Sequence, residues 1–168
     1  MSEIKLKGNI IHTNGDFPAP GDIAKEFNLT RNNLSDALLS EYEGSRIVLN
    51  IFPSLDTSVC ATSVRRFNAL AEKLPGIYVL CISADLPFAQ ARFCGAEGLE
   101  RVETLSVFRT PEFGIRYGVR IGEGPMRGLL ARAVIVIEVD GYIGYTQLVP
   151  EITEEPDYDA VMEYLQKL

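Results

Sequence analysis

Few residues in this chain can carry covalent chemistry. It holds three cysteines, Cys60, Cys81 and Cys94, and one histidine, His12. A single His so close to the N-terminus argues against a Cys–His or Ser–His hydrolase, which needs a base beside its nucleophile. Three Cys and one His equal the four ligands of a zinc site in number only. Their spacing contains no C-x2-C or H-x3-H pair, which argues against zinc. An odd, sparse cysteine count also does not make a secreted disulfide framework. What remains is thiol chemistry.

Cys60 has a favourable position for it. The run SRIVLNIF at 45–52 is almost continuously apolar and reads as a strand covered on both faces, ended by Pro53. The segment SLDTSVCATSVRRFNALAEKLPG follows, in which Cys60, Val64, Phe67, Ala71 and Leu74 fall on one helical face. Asp56, Thr57 or Ser58 can cap its start, and Pro75-Gly76 stop its end. Cys60 thus falls in a helical first turn, where unpaired N–H groups and the positive end of the helix dipole favour a thiolate. The same face also suits a cysteine packed as a small hydrophobe. Position alone leaves both readings open. Pro53 can shape the turn and shield one side of the thiol. Thr57 can cap the helix and direct its hydroxyl toward Cys60.

Other residues divide by their surroundings. Cys81, inside the strand-like run IYVLCIS at 77–83, reads as a buried structural residue. Cys94 falls near the end of a helix that Asp85 and Pro87 open and that runs toward Gly95, where packing and redox roles are both open. Arg132 lies between Ala131 and Ala133 at the start of an apolar run, a costly place for a guanidinium unless it is paired. An exposed strand edge is its other reading. Arg65 and Arg66 read as surface charges, and the Asp85–Pro87 pair as a helix start. Phe52, Leu86, Phe88, Tyr117 and Ile121 could line an apolar pocket, with core packing as the default.

The remaining elements must hold these groups in place. EIKLKGNIIHT breaks at Gly8-Asn9 and reads as an N-terminal hairpin, followed by the polar loop NGDFPAPGD. Residues 27–39 suggest a short strand and a turn. ETLSVF reads as a strand, 111–117 as a helix, and ARAVIVIEVDGYIGYTQLV as two strands around Asp140-Gly141. Pro156–Leu168 reads as a terminal helix. The order β-α-β-α, then β-β-α, predicts an α/β fold with a central mixed sheet flanked by helices, the thioredoxin-like arrangement. Its length of 168 residues suits one domain over 1–168, with 1–14 as a hairpin extension. A nucleotide-binding fold would want G-x-G-x-x-G or a P-loop where this chain has PSLDTSVC, and the GEGP at 122–125 follows no convincing strand.

Composition narrows the class further. With 46% apolar and 23% charged residues, the chain is of ordinary globular type. No apolar run approaches the roughly 18 residues of a membrane span, and MSEIKLKGNI lacks the apolar stretch of a signal peptide. A cytoplasmic protein is the expectation. The net charge of −7 argues against general affinity for nucleic acid or anionic membranes. Glu151, Glu154, Glu155, Asp157, Asp159 and Glu163 read as a solvated helix and its approach.

The segment Pro53-Ser54-Leu55-Asp56-Thr57-Ser58-Val59-Cys60 resembles the active-site segment of the peroxiredoxins, and the form P-S-x-D-T-x-V-C that of their bacterial thiol peroxidase subfamily, whose members are atypical two-cysteine enzymes. The likeness continues through LNIF at 49–52, Ser63-Val64-Arg65, LCISADLPFAQ at 80–90, Arg92-Phe93-Cys94-Gly95-Ala96-Glu97-Gly98, Gly128-Leu129, Ala131–Val134 and Glu151-Ile152-Thr153. It covers nearly the whole chain, more loosely over the first thirty residues. The resemblance implies a thiol-dependent peroxidase that reduces hydrogen peroxide and alkyl or lipid hydroperoxides. Cys60 would attack and become a sulfenic acid, and Cys94 would resolve it as an intramolecular disulfide recycled by thioredoxin or a similar dithiol protein. Arg132 would face Cys60, favour the thiolate and hold the peroxide oxygens. The resemblance further implies a homodimer, with no metal, haem, flavin or selenium. Two other readings use the same fold: a single-thiol glutaredoxin-like oxidoreductase, suggested by the C-x-x-S form of Cys60–Ser63, and a non-enzymatic redox sensor.

Overall fold

The structure, a computed structural model, describes residues 1–167. Its centre is a seven-stranded mixed sheet in the order β10-β9-β5-β6-β7-β3-β4. Three apolar runs, β5 (Arg46–Ile51), β6 (Ile77–Ser83) and β7 (Glu103–Ser106), form its parallel middle. Helices α1 (Ser58–Lys73) and α2 (Pro87–Glu97) make the two crossovers between them. On one flank β9 (Ala133–Ile137) pairs antiparallel with β5, and β10 (Ile143–Leu148) with β9. On the other, β3 (Asn28–Thr30) and β4 (Asp36–Leu38) add an antiparallel edge. The expected mixed sheet flanked by helices is present.

Alternation along the strands divides the core between the two faces. Val48, Val79, Cys81, Val134 and Val136 face α1 and α4 (Tyr158–Gln166) and meet Cys60, Val64, Phe67 and Ala71. Ile47, Leu49, Ile51, Leu80, Ile82 and Ile135 face the opposite layer. That layer holds α3 (Glu112–Arg116), a 3-10 turn over Leu39–Tyr42, and a small sheet of β1 (Glu3–Leu6), β2 (Asn9–Asn14) and β8 (Arg120–Ile121). The strands are buried on both faces, which is why they read as unbroken apolar runs.

The amphipathic face expected of α1 is buried from Cys60 to Ala71, widened by Ala61, Ser63, Asn68 and Leu70. The helix α4 is fastened over the same face. The Arg46 guanidinium grips Glu138 through Nε and Nη2 at 2.9 and 3.1 Å, and its Nη1 donates to the Leu165 carbonyl at 2.8 Å. Tyr158 of α4 meets the Phe67 ring edge-on at 5.5 Å.

Several expectations shift. Residues 27–39 form a complete small hairpin plus the 3-10 turn, because Leu34 supplies a left-handed turn residue that its side-chain type does not advertise. α2 passes Gly95 and ends at Glu97, because Gly98, at φ 65°, provides the left-handed cap. The pair β2–β8 ties the N-terminal hairpin to residues 120–121. The terminal helix starts after its Asp157 cap, whose side chain accepts the Ala160 N–H, rather than at Pro156, and Leu168 lies outside the described residues. No helix among the described residues is long and apolar enough to cross a membrane.

Candidate active site

β5 ends at Ile51, although the Phe52 N–H still bonds to the Ile82 carbonyl at 3.1 Å. Pro53 follows, buried and without an N–H, and the chain turns through Ser54–Thr57 into α1. Thr57 occupies the N-cap position but makes no cap bond. Its N–H and hydroxyl both donate to the Ser54 carbonyl, at 3.2 and 3.1 Å, closing the turn behind it. The expectation that its side chain caps the helix is therefore corrected: the backward turn uses the hydroxyl. The first intrahelical bond runs from the Ala61 N–H to the Thr57 carbonyl, so the N–H groups of Ser58, Val59 and Cys60 are the open ones of the first turn.

The Cys60 side chain points inward and is fully buried. Facing it is Arg132, just before β9, only 2% exposed. β9 lies antiparallel beside β5, so its beginning meets the end of β5, where the Cys60 turn starts. Arg132 Nη2 lies 3.2 Å from the Cys60 sulfur, and Nε donates to the Ile152 carbonyl at 2.9 Å. Nη1 is buried with no hydrogen-bond partner among the described residues. No carboxylate pairs with Arg132 among those residues. A buried cation without an anion is expensive, and the Cys60 sulfur is the group that its Nη2 meets. The exposed-edge reading of Arg132 does not hold.

The loop accepting from Arg132 is itself pinned by a carboxylate. Glu151 accepts the N–H of Gly8 at 2.8 Å, those of Lys7 and Thr153 at 3.1 Å, and the Thr153 hydroxyl at 3.0 Å. Glu151 is therefore no freely solvated tail acid. The Gly8 and Thr153 N–H groups hold its pKa near 2, against 4.5 ordinarily. A depressed carboxylate stabilises the fold fully above its unfolded pKa, and the contribution is lost as pH falls through the folded value. Glu151→Gln is therefore expected to lower the melting temperature at pH 7. The gap to wild type should narrow from about pH 4.5 and close near pH 2, read from melting curves across that range. A gap independent of pH would mean that charge plays no part in this clamp.

Cys94 sits elsewhere on the same side of the sheet. Its carbonyl accepts the N–H groups of Gly98 and Leu99 that close α2, and its sulfur lies 3.8 Å from the Thr104 hydroxyl on β7. It is half-buried and opens on a groove of about 330 Å³ lined by Arg31, Asn32, Leu99, Val102 and Thr104. Burial raises its pKa, and the Thr104 hydrogen bond opposes the rise. All three cysteines are free. Arg132 leads into β9 and Thr104 lies on β7, three strand positions apart in the sheet order. Cys60 and Cys94 thus stand on different helices, α1 and α2, and contact different partners.

Cys81 behaves as expected of a structural residue. It is fully buried, 3.7 Å from the Asn50 amide, and burial pushes its pKa up to about 12. Cys81→Ala is expected to cost about 1 kcal/mol of stability and to leave peroxide turnover within about twofold of wild type, checked by chemical denaturation and steady-state assay. Ser63, the last residue of the C-x-x-S pattern, donates to the Cys60 carbonyl at 2.8 Å and accepts from Asn50, so it faces the core. Arg65 and Arg66 are exposed, the first forked onto Glu97 and the second over the Tyr158 ring. The five candidate pocket residues do not converge. Phe52 packs in the Cys60 cluster, Tyr117 and Ile121 lie in the opposite layer, and Leu86 and Phe88 are 52% and 64% exposed.

Asp85, read as a helix start, has a wider role that sequence reasoning missed. Its Oδ1 accepts the Ser54 hydroxyl at 2.7 Å, and its Oδ2 the Leu55 N–H at 2.8 Å and the Ser83 hydroxyl at 2.7 Å. The available signal was polar Ser83 closing an otherwise apolar strand directly before an acid.

Comparison with known proteins identifies the family of this chain. The Redoxin family model matches residues 19–162. The thiol peroxidases of Mycobacterium tuberculosis and Mycobacterium bovis are 53% identical over 165 residues, 98% of this chain and 99% of theirs. Among solved structures, a peroxiredoxin-like protein from Aquifex aeolicus superposes with a TM-score of 0.94 at 40% identity, covering 99% of this chain and 97% of its own. The thiol peroxidase from Chromobacterium violaceum superposes at 0.91 and 25% identity, covering 98% and 95%. The chain belongs to the Redoxin family, as a peroxiredoxin-type thiol-dependent peroxidase.

Proposed function

We propose that Cys60 is the attacking thiol of this peroxidase and Cys94 the resolving one. The observation that carries the first assignment is Arg132, buried, 3.2 Å from the Cys60 sulfur through Nη2 and with Nη1 unpartnered beside it. A permanent cation stabilises the thiolate, and a second N–H is left for a peroxide oxygen. The Cys60 thiolate attacks the terminal oxygen of a hydroperoxide and the O–O bond breaks. The distal fragment takes a proton and leaves as alcohol or water, and Cys60 becomes a sulfenic acid. Arg132 and the open N–H groups of the first α1 turn offset charge developing on both oxygens. Thr57, whose hydroxyl donates to the Ser54 carbonyl, keeps an oxygen that can accept a hydrogen bond from the substrate, and buried Pro53 shapes the turn that carries Cys60. The Cys94 thiolate then attacks the Cys60 sulfur, expelling hydroxide, which leaves as water, and a disulfide forms. An external dithiol of the thioredoxin type returns both thiols. Cys60 is buried against Arg132 and Cys94 stands beside Thr104 on another helix, so the disulfide forms as the first turn of α1 unwinds.

The substrates are hydrogen peroxide and alkyl hydroperoxides, and the setting is the cytoplasm, where a dithiol pool keeps thiols reduced. The chain 1–168 acts as one domain with 1–14 as its extension, and pairs as a homodimer. Leu86, Phe88 and Phe108, exposed at the end of the sheet where α2 begins, are the apolar surface that pairing would cover. Sedimentation at micromolar concentration separates dimer from monomer.

The deciding experiment is peroxide consumption coupled to thioredoxin, thioredoxin reductase and NADPH, in wild type and Cys94→Ser. Wild type turns over. Cys94→Ser is expected to consume about one equivalent of peroxide and then stop recycling through thioredoxin. Normal recycling by Cys94→Ser would reduce Cys94 to a structural residue and leave a single-thiol enzyme.

A further inference from the structure

The Asp85 carboxylate joins two segments that must both rearrange before the resolving step. Two of its three donors, the Ser54 hydroxyl and the Leu55 N–H, belong to the turn that leads into Cys60. Ser54 in turn accepts the Asp56 N–H at 3.1 Å. The third donor, Ser83, accepts the Gln90 side-chain amide at 3.1 Å, and Gln90 lies one turn before Cys94 on α2. Gln90 is fully buried, and the same amide also reaches the Leu105 carbonyl at 2.9 Å. Ser106 holds the Asp85 carbonyl at 2.5 Å, which fixes the hub to β7. One continuous chain of hydrogen bonds thus runs from the Cys60 turn, through Asp85 and Ser83, to the Cys94 helix.

Two buried acceptors near these segments have no partner among the described residues. Gln90 Oε1 lies beneath α2, and Asn50 Oδ1 lies beneath α1, where the Asn50 amide meets Ser63. Buried unpaired acceptors raise the free energy of the state that contains them. The dithiol arrangement therefore holds together through the Asp85 hub while carrying unmade bonds close by, as expected of an element drawn from the less stable part of a fold.

We propose that Asp85 is a positioning residue that latches the Cys60 turn to the Cys94 helix in the dithiol state, and so limits the rate at which the two sulfurs meet. It touches neither sulfur and acts through Ser54, Leu55 and Ser83. This rests on the assignment of Cys94 as the resolving thiol. Release of the latch frees both segments together. While it holds, the Cys60 sulfenic acid stays beside Arg132, open to a second peroxide and conversion to sulfinic acid. The latch thus sets the partition between disulfide and overoxidation.

The test is Asp85→Asn. An amide oxygen accepts at most two of the three donors, and its NH2 then faces the third. Cys60 oxidation by peroxide, followed by stopped flow, should stay within about threefold of wild type, because the Arg132 contact does not pass through Asp85. Disulfide formation should rise roughly tenfold, and the sulfinate yield at a given peroxide concentration, read by mass spectrometry, should fall in proportion. Unchanged or slower disulfide formation overturns the proposal. Amide exchange in the reduced protein gives an independent reading: residues 53–60 and 87–97 should both exchange faster in Asp85→Asn. A rise in one segment alone, or in neither, also overturns it. If wild type yields no Cys60–Cys94 disulfide, the resolving role fails, and the exchange result still decides whether the latch exists. Should Asp85→Asn not fold, Ser83→Ala carries the same test. It cuts the link to Gln90 and should raise α2 exchange and disulfide formation to a smaller extent.

Discussion

Replacement of Cys60 by Ser is expected to abolish peroxide turnover, with kcat falling by roughly 10³-fold or more, the scale on which an enzyme loses its nucleophile. The substitution is nearly isosteric and the site is closed, so packing should survive. What disappears is the nucleophile: a serine hydroxyl stays protonated where a thiol ionises, and one guanidinium does not close that gap. Neither remaining cysteine is placed to take over. Cys81 is fully buried with its ionisation pushed up to about 12, and Cys94 opens on a groove away from Arg132, its ionisation also raised by burial. NADPH-coupled turnover, with mass spectrometry of each cysteine after one equivalent of peroxide, checks the prediction. Residual turnover above a few per cent, with oxygen on Cys81 or Cys94, would sink the assignment of Cys60.

The second large effect is expected at Arg132. Its guanidinium spans three directions: Nε to the Ile152 carbonyl, Nη2 to the Cys60 sulfur, and Nη1 unpartnered. Arg132→Lys keeps the charge and loses this geometry, because a single ammonium cannot reach carbonyl, sulfur and substrate together. Loss of one preorganised donor at a reacting oxygen costs about 10²- to 10³-fold, and a fall of that size is expected in kcat/KM for hydroperoxide. Alkylation of Cys60 by iodoacetamide separates the two parts of the effect. It reads thiolate reactivity without a peroxide oxygen to bind, so it should fall by less than the peroxide rate. Equal losses in both assays would mean that Arg132 acts on the sulfur alone. A peroxide rate within a few-fold of wild type would remove Arg132 from the chemistry.

The parts legible in the sequence were those set by local pattern. The runs at 45–52 and 77–83 declare strands because both faces are covered. The spacing of Cys60, Val64, Phe67 and Ala71 declares α1, and Asp140-Gly141 the β9–β10 turn. Arg132 stands out in the sequence because a cation between alanines needs a partner, and in the fold that contact is Cys60. The parts that escaped depend on long-range contacts. Asp85 reads as a helix start from its neighbours, yet its bonds to Ser54 and Leu55 come from a segment far away in sequence. Glu151 sits in an acidic stretch that suggests solvent, and only the closed fold brings the Lys7-Gly8 turn onto its carboxylate. Thr57 went the other way: a residue type suited to capping was taken up by the turn behind it.

The Cys60–Arg132 contact joins residues 72 positions apart and depends on β9 docking between β5 and β10. Synthesis delivers the N-terminal part first. During elongation, a nascent chain therefore exposes Cys60 well before the strand that brings its guanidinium exists. Until then the thiol has no guanidinium beside it. If Arg132 activates Cys60 as proposed, oxidant sensitivity is acquired only when the last strands close, and the fold withholds that reactivity from the interval in which an unfinished chain could be damaged by it.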